Sequence, residues 1–413
     1  MMADDGISQK IADFVSGSDS RTTYQHWPST LQRIIDTYED ERGIVHGVQK
    51  DAIQNGWDAR KNRKSGKGWK FVFDLIETST LTLLIFTDEG TTGLTGKILA
   101  PEDLMSELPE YEKWGRFENL AFRKTDREDK MTLGARGQGK FIFVGASKNN
   151  SIIYESLRDD KTYRMGARNL QTIDSRTNSL DEEAGKEKII ELTNGIVEPL
   201  DIIGTRVIIV NPIDELIDSI KNGDFIKYIN ETWWEIIKKY DVKIIVKYDE
   251  KEVQATVPIS FILPDEDTES YVVKVIKKST EERGNGTYRI KNFHIVCKKN
   301  GPIPEHLRGI AIQRGGMKIC TIRPDYFRRE HLESVYGFIN FEEETELQLQ
   351  KYESPEHYSF FWRKAYPGHL KSYIKAKLTT FSREKLGYMI DARARERERE
   401  SVLEMLKERQ SLQ

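Results

Sequence analysis

No apolar run in this 413-residue chain approaches the length of a membrane span; stretches such as Leu81–Phe86 are strand-sized and are separated by segments of helical period. A chain patterned in this way folds as an α+β protein with many short strands. With 413 residues it exceeds one ordinary core, and two domains plus an appendage are expected. Charged residues make up 32% and aromatics 10%. The aromatic share argues against disorder and for a globular protein with a heavily solvated surface. The formal net charge is -3, so no global basic field holds nucleic acid by itself, while a local basic patch stays open. Cys297 and Cys320 are too few for a disulfide scaffold or a cysteine metal cluster and point to a reducing compartment. The opening MMADDGISQK lacks the charged-then-apolar pattern of a secretory signal. A cytoplasmic protein without membrane association is expected.

Residues 1–30 read as a flexible polar arm. The span 31–222 reads as a first domain. It carries helical patterns at Leu31–Tyr38 and from Gly47 to Arg63, then a strand pair, Phe71–Ile76 and Thr80–Phe86. A helical centre follows around Pro109–Phe122, then an apolar helix start at Phe141–Ala146 and a hairpin of Ile152–Leu157 with Thr162–Arg168. Residues 174–187 read as a polar loop, with further strands at Ile189–Leu192 and Thr205–Val210. A helix at Phe225–Lys239 and a strand at Val242–Tyr248 open a second α/β domain over 223–355. A helical tail occupies 356–413, where Asp391–Glu400 alternates Arg and Glu.

Four local patterns carry chemistry. In Asp51-Ala-Ile-Gln-Asn55-Gly-Trp-Asp58-Ala59, positions 51, 55 and 58 fall at i, i+4 and i+7 on one helix face. Three small polar groups in line are costly to bury unless they bind something. An amide oxygen suits Mg²⁺, and a carboxylate one turn away can orient water. The alternative is a plain polar surface face. Next, Asp88-Glu-Gly90-Thr-Thr-Gly93 follows an apolar strand, where a strand-end acid can accept from an adenine amino group and glycine lets the backbone pass close to the base. The alternative is a strand-ending turn. Third, Gly134-Ala-Arg136-Gly137-Gln138-Gly139-Lys140 leads into an apolar helix, so its backbone N–H groups and the lysine favour phosphate. It has neither Walker A spacing nor a Rossmann strand before it. Last, Gly204-Thr205 opens the strand Arg206–Val210.

Together, in this order, the four resemble the GHKL (Bergerat-fold) ATPase superfamily, closest in layout to its MutL, MORC and heat-shock-chaperone types. The resemblance covers about residues 30–212. It implies a Bergerat α/β sandwich, a mixed, mostly antiparallel sheet with helices on one face, followed by a smaller transducer-like α/β domain. It also implies ATP and Mg²⁺ as ligands. Asn55 would hold the metal and Asp51 would orient and deprotonate the attacking water. Asp88 would accept from adenine, helped by Thr205 through water, with Asp58, Gly90 and Gly93 in the same pocket. Gly134, Arg136, Gly137, Gln138, Gly139 and Lys140 would form the lid, with Gly137, Gly139 and Lys140 over the β- and γ-phosphates. Two departures stand out: Asp51 takes the place of the family's usual Glu, and one extra residue separates Gly90 from Gly93.

In the second half, Gly309–Ile319 reads as strand, tight turn and strand. By the same resemblance Gln313, Arg314 and Lys318 are candidates to reach the γ-phosphate, with Lys318 as the catalytic one. The alternative is a surface hairpin with solvated charges. The implied activity is slow Mg-dependent ATP hydrolysis that closes a homodimer as a conformational switch. What the switch drives stays open between three readings. One is a clamp in DNA transactions, restriction or phage defence, with DNA as a candidate ligand and a partner nuclease or other effector. The others are a chaperone-like remodelling ATPase and a non-hydrolysing ATP sensor.

Overall fold

The structure, a computed structural model, describes residues 5–17, 21–24, 27–41, 43–62, 64–100, 108, 111–118, 139–170, 174–258, 268–272, 288–298, 303–323, 333–354 and 357–386. The chain divides into two units. Unit 1 is Met1–Pro258 with Gly315–Met317 and Glu353–Ser359; unit 2 is Ile259–Arg314, Lys318–Tyr352 and Phe360–Gln413.

Unit 1 runs α1 (Asp5–Val15), β1 (Arg21–Tyr24), α2 (Trp27–Glu41), α3 (Gly43–Ala59), β2 (Lys70–Glu77), β3 (Thr82–Glu89), α4 (Lys113–Glu118), α5 (Gly139–Gly145), β4 (Ser151–Leu157), β5 (Tyr163–Asn169), β6 (Asp174–Asp181), α6 (Glu182–Leu192), β7 (Gly204–Val210), α7 (Asp214–Lys221), α8 (Asp224–Tyr240), β8 (Lys243–Tyr248) and β9 (Lys251–Gln254). The strands form one nine-stranded sheet in the order β1-β6-β5-β4-β7-β3-β2-β8-β9. Every pair is antiparallel except β2 with β8. The expected mixed, mostly antiparallel α+β sheet is therefore present.

Helices cover both faces of this sheet, not one. Successive side chains of β3 point to opposite sides. Leu83 and Ile85 join Ile153, Met165 and Ile208 in a cluster closed by Ile7, Ile11 and Val15 of α1 and by Ile189 and Leu192 of α6. On the other side Phe86 meets Phe143 of α5 and Phe73 meets Phe225 of α8. The expected arm over 1–30 is thus corrected in part: α1 is a packed helix. Its Ile7, Ile11 and Val15 recur at a four-residue step that buries one stripe, the form of amphipathic helix that a sheet face binds.

Three further corrections concern polar or short segments. Residues 174–187, expected as a loop, form β6 and the start of α6, and Ile189–Leu192 ends that helix rather than making a strand. The polar β6 is stabilised by partners that its sequence does not display. Thr177 donates to the Ala167 carbonyl at 3.1 Å and Asn178 to the Phe14 carbonyl at 3.0 Å. Strand Lys243–Tyr248 does not open a second domain. It pairs in parallel with β2 and extends the first sheet, so unit 1 continues to Pro258 instead of ending at 222.

Unit 2 holds β10 (Thr268–Val272), β11 (Ile290–Lys298), β12 (Gly309–Arg314), β13 (Met317–Ile322), β14 (Val335–Phe341), α9 (Glu343–Gln350) and α10 (Ala365–Phe381). Its sheet has the order β10-β11-β14-β12-β13, with β12 and β14 parallel. Helix α10 buries Tyr366, Leu370, Ile374, Leu378 and Phe381 at helical spacing, so this part of the tail belongs to a core. The Arg/Glu stretch 391–400 lies outside the described residues. Among the described residues no helix is long and apolar enough to cross a membrane.

Candidate functional site

Helix α3 is buried over Gly47–Gln54 and again at Gly56 and Trp57, and Asn55 between them is exposed. Asp51 is only 4% exposed, and the Tyr38 hydroxyl of α2 donates to its Oδ2 at 2.6 Å. Burial raises its pKa above the ordinary carboxylate value, against the opposing pull of His357, the Tyr38 hydrogen bond and Lys50. A carboxylate made more basic in this way is suited to accept a proton from water. Asp58, one turn beyond Asn55, is half-buried. The face at 51, 55 and 58 is thus graded from a buried carboxylate to an exposed carboxamide.

Asp88 stands at the end of β3, 8% exposed, on the sheet face that α3 covers. The approach is close: a methyl group on Gly56 would lie 3.2 Å from Asp88 Cβ and 2.9 Å from the Phe71 ring. Register places Thr205 of β7 opposite Asp88. The Thr205 backbone N–H donates to Asp88 Oδ1 at 2.9 Å, and the Thr91 hydroxyl donates to the same oxygen at 2.6 Å. Oδ2 accepts no hydrogen bond among the described residues. Burial pushes the Asp88 carboxyl up to about 6, moderated by the Thr91 and Thr205 donors.

The glycines around Asp88 answer to steric need. Gly90 has φ +77°, and a Cβ there would meet the Gly68 carbonyl oxygen at 2.2 Å. A Cβ on Gly204 would lie 2.0 Å from the Asp88 carbonyl oxygen. Ser156 closes the group: its hydroxyl donates to the Gly204 carbonyl at 2.9 Å and accepts from the Leu94 N–H at 2.8 Å. Gly93 is buried against Leu157 and Ser156. Beside it Lys113 donates to the Thr92 hydroxyl at 2.7 Å.

Gly134, Arg136, Gly137 and Gln138 lie outside the described residues. Gly139 and Lys140 begin α5. Lys140 is 7% exposed and its ammonium donates to the Arg116 carbonyl at 3.0 Å.

Gln313, Arg314 and Lys318 of unit 2 are 0%, 1% and 7% exposed. The reading of this hairpin as a surface turn with solvated charges is corrected. Long polar side chains are buried at this depth only when hydrogen-bonded or paired.

Among the described residues no three carboxylate, imidazole or thiol groups cluster to hold a metal. Asn55, exposed on α3, offers an amide oxygen of the kind a hard cation accepts. Sequence reasoning missed Tyr38, Thr91, Ser156 and Lys50. Thr91 sat inside a recognised motif and could have been found there. Tyr38 and Ser156 have no local signal, because their parts arise from packing across elements. No protein-family model and no curated protein matches this chain.

Proposed function

We propose that unit 1 binds ATP in a Bergerat-type pocket and hydrolyses it slowly with Mg²⁺. The observation that carries this reading is the meeting of three motifs, far apart in sequence, at one carboxylate. Gly56 of the helix motif packs on Asp88, Gly90 turns the chain beside it, and the Gly204-Thr205 pair covers and hydrogen-bonds it. A buried acid with one oxygen satisfied and the other without a donor among the described residues matches what recognition of an adenine amino group demands. Asn55 would hold the metal, which when bound would supply neutralising charge to the phosphates, and Asp51 would accept the proton of the attacking water. Catalysis is then mainly positioning and charge stabilisation. Gly134–Lys140 and Lys318 enter by resemblance as phosphate contacts. So does the downstream role: ATP-driven closure of a homodimer that acts with an effector, on DNA.

Asn55→Ala is expected to abolish the Mg²⁺ dependence of ATP binding while moving stability by no more than about 0.5 kcal/mol, since the residue is exposed. Calorimetric titration with Mg²⁺ and with a chelator tests it. Identical Mg²⁺ dependence in the variant sinks the metal assignment.

ATP affinity is also expected to fall as pH drops below about 6, where Asp88 becomes protonated and stops accepting at Oδ2. ATP's own phosphates titrate nearby, so Asp88→Asn serves as the reference. Its profile should lack the step that wild type adds, and superimposable profiles exclude Asp88 from the contact.

A second reading has its own support. Asp51 is one methylene shorter than glutamate, is 4% exposed and already holds the Tyr38 donor. That geometry favours a sensor that binds ATP without turning it over. Phosphate release by the wild-type protein decides between the two.

A further inference from the structure

Unit 1 contains a segment, Glu353–Ser359, whose flanks Tyr352 and Phe360 both belong to unit 2. It carries buried polar groups that the proposed reaction has not used: Glu353, Ser354 and His357 are 3%, 8% and 5% exposed. Its described residues are tied to one another by backbone hydrogen bonds. The Ser354 N–H donates to the Ser359 carbonyl at 2.9 Å and the His357 N–H to the Ser354 carbonyl at 3.0 Å. His357 itself adopts φ +58°, a left-handed conformation that costs energy unless its surroundings hold it.

What holds it is helix α3. The Lys50 ammonium donates to the His357 carbonyl and lies 4.5 Å from the centre of the Tyr358 ring. Gln54 Nε2 meets His357 Nε2 at 3.2 Å, and His357 Nδ1 pairs with the Glu353 carboxylate. Each ring nitrogen of His357 thus has a polar partner, Gln54 on one side and Glu353 on the other. Tyr358 also meets Tyr38 edge-on, with ring centres 6.3 Å apart. Lys50 and Gln54 flank Asp51 on α3, and Tyr38 donates to its carboxylate. One short segment from far down the chain therefore contacts all three.

We infer that Glu353–Ser359 is a positioning element for Asp51, with His357 as its key residue, and that ATP turnover depends on its being seated. The inference rests on the ATPase reading. Its physical basis is reach: misplacement by about 1 Å can cost on the order of a hundredfold in rate, and Asp has little slack compared with Glu. His357 acts through Gln54 and Lys50 and touches neither nucleotide nor water in this scheme, so it is a positioning residue and not a catalytic one.

The test compares the full-length wild type with His357→Ala, His357→Gln and Glu353→Gln. ATP affinity is measured by calorimetry, kcat and KM by phosphate release, and folding by thermal unfolding. His357→Ala should lower kcat at least tenfold and leave ATP affinity within about twofold. His357→Gln, which keeps a partner for Gln54, should recover part of kcat. Glu353→Gln changes little volume and keeps the result readable if the alanine variant does not fold; it should lower kcat without moving affinity. Wild-type kcat in folded His357→Ala or Glu353→Gln overturns the inference and leaves the ATPase reading standing. Parallel loss of kcat, affinity and thermal stability, without recovery in His357→Gln, reduces the segment to a structural plug and also overturns it. A wild type that binds ATP without hydrolysing it overturns the inference in favour of the sensor. A wild type that binds no ATP overturns both readings.

Discussion

Asp88→Asn is expected to weaken ATP binding by roughly 5- to 150-fold, the range for losing a buried hydrogen bond to a charged acceptor, and to leave the protein at least as stable as wild type. The two halves of this result separate function from fold. Burial lifts the Asp88 carboxyl from 3.8 to about 6. Between those values the folded chain binds a proton that the unfolded chain has released. Stability is therefore highest below the window and declines as pH rises through it. At pH 7 the ionised carboxylate costs the fold up to about 3 kcal/mol, because each tenfold change in proton affinity is worth about 1.4 kcal/mol. Asparagine avoids that cost and still offers Oδ1 to Thr91 and to the Thr205 N–H. Calorimetry gives the affinity, and thermal unfolding at pH 7 and near pH 4 gives the linkage, with the difference between the proteins shrinking at the lower pH. A variant that binds ATP as wild type does would falsify the adenine assignment. One that unfolds well below wild type at pH 7 would show that Asp88 is kept for stability.

The second large effect concerns Asp51. Asp51→Ala should retain ATP binding within about threefold and lose turnover by a factor on the order of a hundred or more, the usual contribution of a positioned base. The split between binding and rate matters because the side chain is buried and held by Tyr38, so a structural part has to be separated from a chemical one. Single-turnover phosphate release measures the chemical step, and equilibrium titration with a non-hydrolysable analogue measures binding. Hydrolysis at the wild-type rate in the alanine variant removes Asp51 from the reaction. Loss of binding together with rate shows that it shapes the pocket.

Much of the candidate site was legible because its parts are local. The i, i+4, i+7 spacing of Asp51, Asn55 and Asp58 needs only a helix, and α3 supplies it. The acid-then-glycine pattern at Asp88 and Gly90 needs only a strand end and a tight turn, and β3 supplies both. The paired strands Phe71–Ile76 and Thr80–Phe86 were visible as short apolar runs with a polar turn between them. Where the reading went wrong, the local signal was weak or pointed elsewhere. The polar run of β6 resembles a loop until β5 pairs with it, and backbone pairing does not depend on apolar side chains. Strand β8 follows a long helix and looks like a fresh start, yet its backbone pairs with β2, about 170 residues earlier by the register of Lys70 with Lys243.

By itself, then, the sequence determined the α+β class, the helix and strand that present Asp51, Asn55 and Asp88, and the order of the motifs. Each of these follows from periodicity and turn chemistry within a few residues. Only the tertiary structure decided that Gly56, Thr91 and Thr205 surround Asp88, that helices cover both faces of the sheet, and that His357 lies beside Lys50 and Gln54. Contacts between residues as distant as Gln54 and His357 leave no repeating pattern in either segment. They form because burying polar groups at full depth is tolerable only where partners are found, and those partners exist only once the chain has folded.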